Sequence, residues 1–177
     1  MGLSHQPVIL MRPGAANDRL AAKLKADGIE AWCWPAFTIT LPEDQELVAQ
    51  RLAHLDDVDM VVLPGGIPGT PNLAANKTVT DTCIAFAKAG KKVAAICAAP
   101  SVLAALGLLE GKNATAHAAF QDKLTGAHVL DAEVVVDGNI TTSYGLGGAI
   151  PFALELVRQL AGEAEADRIR NAIAYRH

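Results

Sequence analysis

Short apolar runs closed by Gly, Pro or a polar turn alternate along this chain with longer stretches in which apolar residues recur every three or four positions. The first pattern marks buried strands and the second marks helices with one face to cover. Pro7–Met11 (PVILM) is such a run, stopped by Arg12-Pro13-Gly14. Asn17 or Asp18 can cap a helix over RLAAKLKAD, where Leu20, Ala21 and Leu24 fall at helical spacing and Gly28 ends the element. Ile29–Ile39 (IEAWCWPAFTI) is rich in aromatic and β-branched residues and reads as a second strand, placed at an edge by Pro35. Pro42-Glu43-Asp44 opens a helix carrying Leu47, Val48, Leu52 and Leu55 on one face.

Further on, Met60–Leu63 runs straight into Pro64-Gly65-Gly66, and Val79–Ala89 makes an amphipathic helix ended by Gly90. Lys92–Ile96 is a fourth strand, followed by a helix that starts at Cys97-Ala98-Ala99-Pro100, turns Val102, Leu103 and Leu106 inward and stops at Gly107. Asn113–His117 is a candidate fifth strand. EVVV, Asp137-Gly138 and NITTS within Glu133–Ser143 spell a hairpin. Helices over Ala149–Leu160 and Glu163–Ala174 follow. The alternation predicts an α/β, flavodoxin-like, doubly wound and mostly parallel sheet of order 2-1-3-4-5 with helices on both faces. Neither a repeat nor a low-complexity linker interrupts residues 1–177, so one domain is expected.

Composition narrows the function. Hydrophobic residues make up 51% and charged residues 19%, enough for a core. A net charge of -4 without a basic stripe argues against a nucleic-acid partner. No run approaches the roughly 18 apolar residues of a spanning helix and no basic leader is seen, so no membrane association and a cytoplasmic location are expected. Cys33, Cys83 and Cys97 are odd in number and lack C-x-x-C spacing, which suggests reduced thiols rather than disulfides. His5, His54, His128 and His177 lack ligand spacing, so no metal is expected. Tyr144–Gly148 (YGLGG) has neither the Walker nor the dinucleotide spacing; it reads as close backbone packing, and no cofactor is expected.

In a doubly wound sheet, chemistry collects beyond the carboxyl ends of the strands. Cys97 stands where a buried strand turns sharply into a helix between small neighbours, the context that presents a nucleophile, and the helix start favours negative charge there. A small residue buried at a tight turn would look the same. Gly65 and Gly66 can bring backbone amides close to an oxyanion, or simply turn the chain. His117 emerges at the same edge and could exchange a proton with the thiol, or be solvated. Asp18 is the nearby carboxylate, although an N-cap aspartate serves its own helix. Cys33 and Cys83 read as structural.

From about Asp59 onward, VVLPGG, NLA (Asn72–Ala74), AAICAAP, the His117 segment, DGNITTS and FALELV (Phe152–Val157) follow the order and spacing of the ThiJ/PfpI superfamily, which this stretch resembles. That superfamily includes glutathione-independent glyoxalases and protein deglycases. The resemblance implies Cys97 as nucleophile, His117 beside it, the amides of Gly66 and Ala98 as oxyanion donors, and a small aldehyde such as methylglyoxal as substrate. The family glutamate after strand one has Asp18 at the corresponding place, one methylene shorter. TSYGLGG (Thr142–Gly148) departs from the family's TSRGPG turn, and monomer is favoured over the family's dimer.

Residues 8–58 lack that family's acidic cluster and second hairpin. VILMRPGAANDRLAAKLKADGIEAWCWPAF, TLPED and LDDVD resemble instead the first lobe of uroporphyrinogen-III synthase. The pair of resemblances implies an engineered chimera, with segments 1–58 and 59–177. That synthase activity needs a cleft between two lobes and is not expected. The readings left open are a cysteine-dependent glyoxalase or deglycase, a folded scaffold without turnover, and a redox-sensing cysteine protein.

Overall fold

A computed structural model describes residues 8–10, 22, 25–26, 31–33 and 58–176, and its backbone falls into two compact units, Met1–Ala53 and His54–His177. In the first unit, β1 (Val8–Leu10) and β2 (Ala31–Cys33) pair in parallel with Val8 opposite Ala31. Ala22, Lys25 and Ala26 between them are helical, as the spacing of Leu20, Ala21 and Leu24 predicts. The helix predicted after Pro42, and the aromatic half of the second strand beyond Cys33, lie outside the described residues.

The second unit carries β3 (Met60–Leu63), α1 (Gly69–Ala75), α2 (Lys77–Lys88), β4 (Lys92–Ile96), α3 (Pro100–Ala105) and β5 (Asn113–Ala114). A 3-10 turn over Ala118–Lys123, β6 (His128–Val129), β7 (Val134–Asp137), β8 (Ile140–Ser143), a second 3-10 turn over Leu146–Gly148, α4 (Ala149–Ala161) and α5 (Glu163–Ala172) complete it. The fold is α/β and flavodoxin-like, with a mostly parallel sheet flanked by helices. Its four-stranded sheet has the order β3-β4-β8-β7, in which β3, β4 and β8 are parallel and β7 is the antiparallel edge.

Beside β4, where a fifth consecutive strand was expected, β8 pairs instead, with Val93 opposite Ile140 and Ile96 opposite Ser143. Asn113–His117 contributes only Asn113 and Ala114 as strand, and these pair with His128 and Val129 in a separate ribbon. The reason is burial. Ile140, Thr141, Thr142 and Ser143 are all buried and three are β-branched, whereas Asn113 is exposed and suits an edge. Leu63, Phe86, Val93, Val102, Leu103, Leu109 and Ile140 form the core with Cys83, which is fully buried in keeping with its structural reading. α2 packs on β3 and β4, and α4 packs on β7 and β8. Among the described residues no helix is long and apolar enough to cross a membrane.

Candidate functional site

Strand β4 delivers Cys97 to the carboxyl edge of the sheet, and the backbone there does something an ordinary residue avoids. Cys97 has φ of 66°, in the left-handed region. For a residue with a Cβ this conformation costs roughly 1–2 kcal/mol, and it persists only where surrounding structure over-determines it. Three hydrogen bonds do so: Cys97 N–H donates to Ser143 O at 2.9 Å, Cys97 O accepts from His117 N–H at 2.9 Å, and Ala99 N–H donates to Ile96 O at 3.1 Å. The result is a thiol held half-buried on a sharp strand-to-helix turn.

The walls of this turn are glycines. A Cβ placed on Gly65 would lie 2.6 Å from Cys97 Cβ and 2.7 Å from Ile96 O, so the β3 loop approaches the elbow as closely as a bare backbone allows. On the other side, a Cβ on Gly145 would lie 3.7 Å from Cys97 Sγ and 3.7 Å from His117 Cδ2. The thiol and the imidazole thus meet over the same glycine. Close backbone packing is what YGLGG suggested, and Gly147 and Gly148 supply it too, against Tyr144 and Ser143. Burial and the neighbouring Glu133 carboxylate push the Tyr144 phenol up from its usual value.

His117 is exposed, and its Nδ1 accepts a hydrogen bond from Ala119 N–H at 3.2 Å. That bond fixes the tautomer: with Nδ1 as acceptor, the neutral ring carries its proton on Nε2 and presents a donor. Gly66 has φ of 94°. Among the described residues neither the Gly66 amide nor the Ala98 amide has a hydrogen-bond acceptor. Ala98 is buried.

The second unit therefore brings Cys97, His117 and Gly145 together and packs Gly65, the neighbour of Gly66, against the same turn. Asp18 and Cys33's side chain lie outside the described residues. Sequence reasoning singled out the Gly65-Gly66 turn and the close packing of Tyr144–Gly148, and missed the fastening residue Ser143, which acts through its backbone carbonyl. Among the described residues no group of three or more His, Cys, Asp or Glu side chains could hold a metal ion. Burial pushes the Cys83 thiol up, which leaves Cys97 as the more accessible of the two.

A family model described as DJ-1/PfpI family matches residues 40–159. A glutathione-independent glyoxalase of Caenorhabditis elegans is 35% identical over 113 residues, covering 63% of this chain and 60% of that protein. A deglycase of Thermococcus kodakarensis is 38% identical over 107 residues, 59% of this chain and 64% of that protein. The Arabidopsis thaliana protein DJ-1 homolog B is 33% identical over 154 residues, 85% of this chain and 35% of that protein. The chain thus spans less than two thirds of each of these relatives. The crystal structure of Drosophila melanogaster DJ-1beta superposes with a TM-score of 0.71 at 30% identity, covering 97% of both chains.

Proposed function

The chain belongs to the DJ-1/PfpI family, and from that membership we propose that it is a cysteine-dependent, cofactor-independent glyoxalase or deglycase acting on small aldehydes. The observation that carries this reading is Cys97 at φ of 66°, held against Gly145 and His117. Strain retained at a half-buried thiol is explained by a reaction that needs the sulfur at that point. Relatives named for glyoxalase and deglycase activity supply the substrate class.

In the proposed reaction Cys97 thiolate attacks the aldehyde carbon of methylglyoxal. A C–S bond forms, and the carbonyl electron pair moves onto oxygen, where the Gly66 and Ala98 amides receive it. A proton then passes from the former aldehyde carbon to the adjacent ketone carbon through a base, for which we propose Asp18, with His117 Nε2–H donating to the developing oxygen anion. Water cleaves the resulting thioester, releasing lactate and restoring the thiolate. The test is lactate formation from methylglyoxal without glutathione by the protein and its Cys97→Ala variant. Turnover that disappears in the variant supports the reading; none in either protein leaves a folded scaffold.

A redox-sensing role is the second reading, favoured by the accessibility of Cys97 beside the fully buried Cys83. Peroxide would oxidise the Cys97 thiolate to sulfenate with release of water, and a second peroxide would give sulfinate. Uptake of oxygen confined to Cys97, measured by peptide mass, supports it; equal uptake at Cys83 removes it.

We also keep the chimera as a proposal: segments 1–58 and 59–177 as two origins within one flavodoxin-like, monomeric, cytoplasmic domain. The proposal rests on the resemblance of residues 8–58 to the synthase lobe; the family match from residue 40 and the 85% coverage by the Arabidopsis homolog B weigh against a boundary at 58. On this proposal the foreign segment supplies Asp18 in place of a longer acid, so Asp18→Glu should raise lactate formation and Asp18→Ala should remove it.

A further inference from the structure

Between segments that flank the cysteine site lies a groove that the chemistry above does not use. Its volume is about 240 Å³; Ile67, Pro71, Ala74, Val102, Ala105 and Phe120 give it a mostly apolar lining, and Thr70, Ser101 and Lys123 complete it. Each wall begins at a segment of the cysteine site. Ile67 directly follows Gly66. Ser101, also in the lining, donates from Oγ to Ala98 O at 2.7 Å. Phe120 N–H donates to His117 O at 2.7 Å. From Ser101 to Ala105 the helix advances about 6 Å, about the length of one ring.

The lips of the site are apolar as well. Ile67 is 60% exposed and Leu146, which directly follows Gly145, is 93% exposed. A small polar aldehyde gives neither side chain anything to cover. We propose that this groove is a subsite for an apolar substituent on the aldehyde that Cys97 attacks, so that the favoured substrates bear an aryl or branched alkyl group in place of methyl. The proposal rests on the reading of Cys97 as nucleophile and extends it to a substrate class. Size is adequate, since an apolar cavity of roughly 150 Å³ accepts a benzene ring.

The test separates the subsite from turnover by using alkylation of the thiol. The full chain is treated with iodoacetamide or with N-benzyl iodoacetamide, and modification of the Cys97 peptide is followed by mass, each rate divided by that of glutathione. The expected result is a preference for the benzyl reagent of about tenfold, the gain from burying a few carbon atoms. Ala105→Phe and Ala74→Phe place a ring in the groove from two exposed positions and should cut the preference below about threefold, while the iodoacetamide rate stays unchanged. A benzyl preference equal to that of glutathione, or one that survives in both variants, overturns the subsite. Lactate formation without any benzyl preference removes the subsite alone. Benzyl preference without lactate formation removes the enzyme reading and leaves the subsite. A Cys97 that reacts with neither reagent removes both.

Discussion

Gly65→Ala tests the elbow at its tightest point. The added methyl would stand 2.6 Å from Cys97 Cβ, 2.7 Å from Ile96 O and 3.1 Å from Ala98 N. None of these atoms is the far end of a flexible side chain: two are backbone and the third is a Cβ fixed by the strained turn. The methyl can be accommodated only if the β3 loop or the elbow moves. Overpacking of this kind costs typically 1–3 kcal/mol, against which the reduced freedom of the unfolded chain returns about 0.4–1 kcal/mol. A net loss of about 1–2 kcal/mol follows, which for a chain of this size lowers Tm by about 2–8 °C. Urea titration followed by far-UV circular dichroism measures the first number and a thermal scan the second. Gly69→Ala is the control, because a methyl there meets nothing within 4 Å and the residue opens α1. It should be neutral or slightly stabilising. If Gly65→Ala were within 0.5 kcal/mol of the parent and Cys97 alkylation were unchanged, the close approach of loop and elbow described above would be wrong.

Asn139 ties the β7–β8 turn to the loop before β4, its Nδ2 donating to Lys91 O at 2.8 Å and Ala87 O at 3.2 Å. Asn139→Ala removes both hydrogen bonds and should cost about 1–3 kcal/mol in a urea titration. Asp137 accepts from Asn113 N–H at 2.9 Å, and that bond, aided by Lys112, holds its carboxyl below the usual value of 3.8. Because the native value is the depressed one, its stabilisation is present above the unfolded value and disappears as pH falls through the native one. The urea midpoint of the parent should therefore drop more steeply below about pH 4 than that of Asp137→Asn, which keeps an acceptor but cannot titrate; parallel curves would refute this.

The sequence was most readable where a short apolar run met an unambiguous terminator. Lys92–Ile96 was delimited correctly because Val93, Ala94 and Ala95 are buried and the turn at Cys97 follows at once. The hairpin was readable because Asp137-Gly138 sits between two β-branched runs, and Gly138 indeed takes a positive φ of 62°. α1 was not anticipated. Gly69, Thr70 and Pro71 look like loop punctuation, yet a proline in the first helical turn forfeits no hydrogen bond the helix would otherwise make. The misplaced fifth strand has another cause: adjacency in a sheet is decided by which segment can be buried on both faces, and β8 lies far along the chain from β4. The sharp turn at Cys97 was legible from its strand-turn-helix context. Gly65 and the YGLGG glycines were legible as close-packing positions, but which segment each would meet was not, because close approach is a property of two segments.

That distance along the chain has a consequence for how the protein is made. The elbow amide is fastened by Ser143 O and the sulfur is walled by Gly145. Both emerge from the ribosome long after Cys97 does. During synthesis the thiol therefore sits on a nascent chain without the strand that bends it, exposed to whatever electrophiles and oxidants the surroundings hold. On the proposed function, a site closed by late-arriving residues is complete only once β8 and Gly145 have been made, and a product cut short before β8 would carry Cys97 without the strand that bends it.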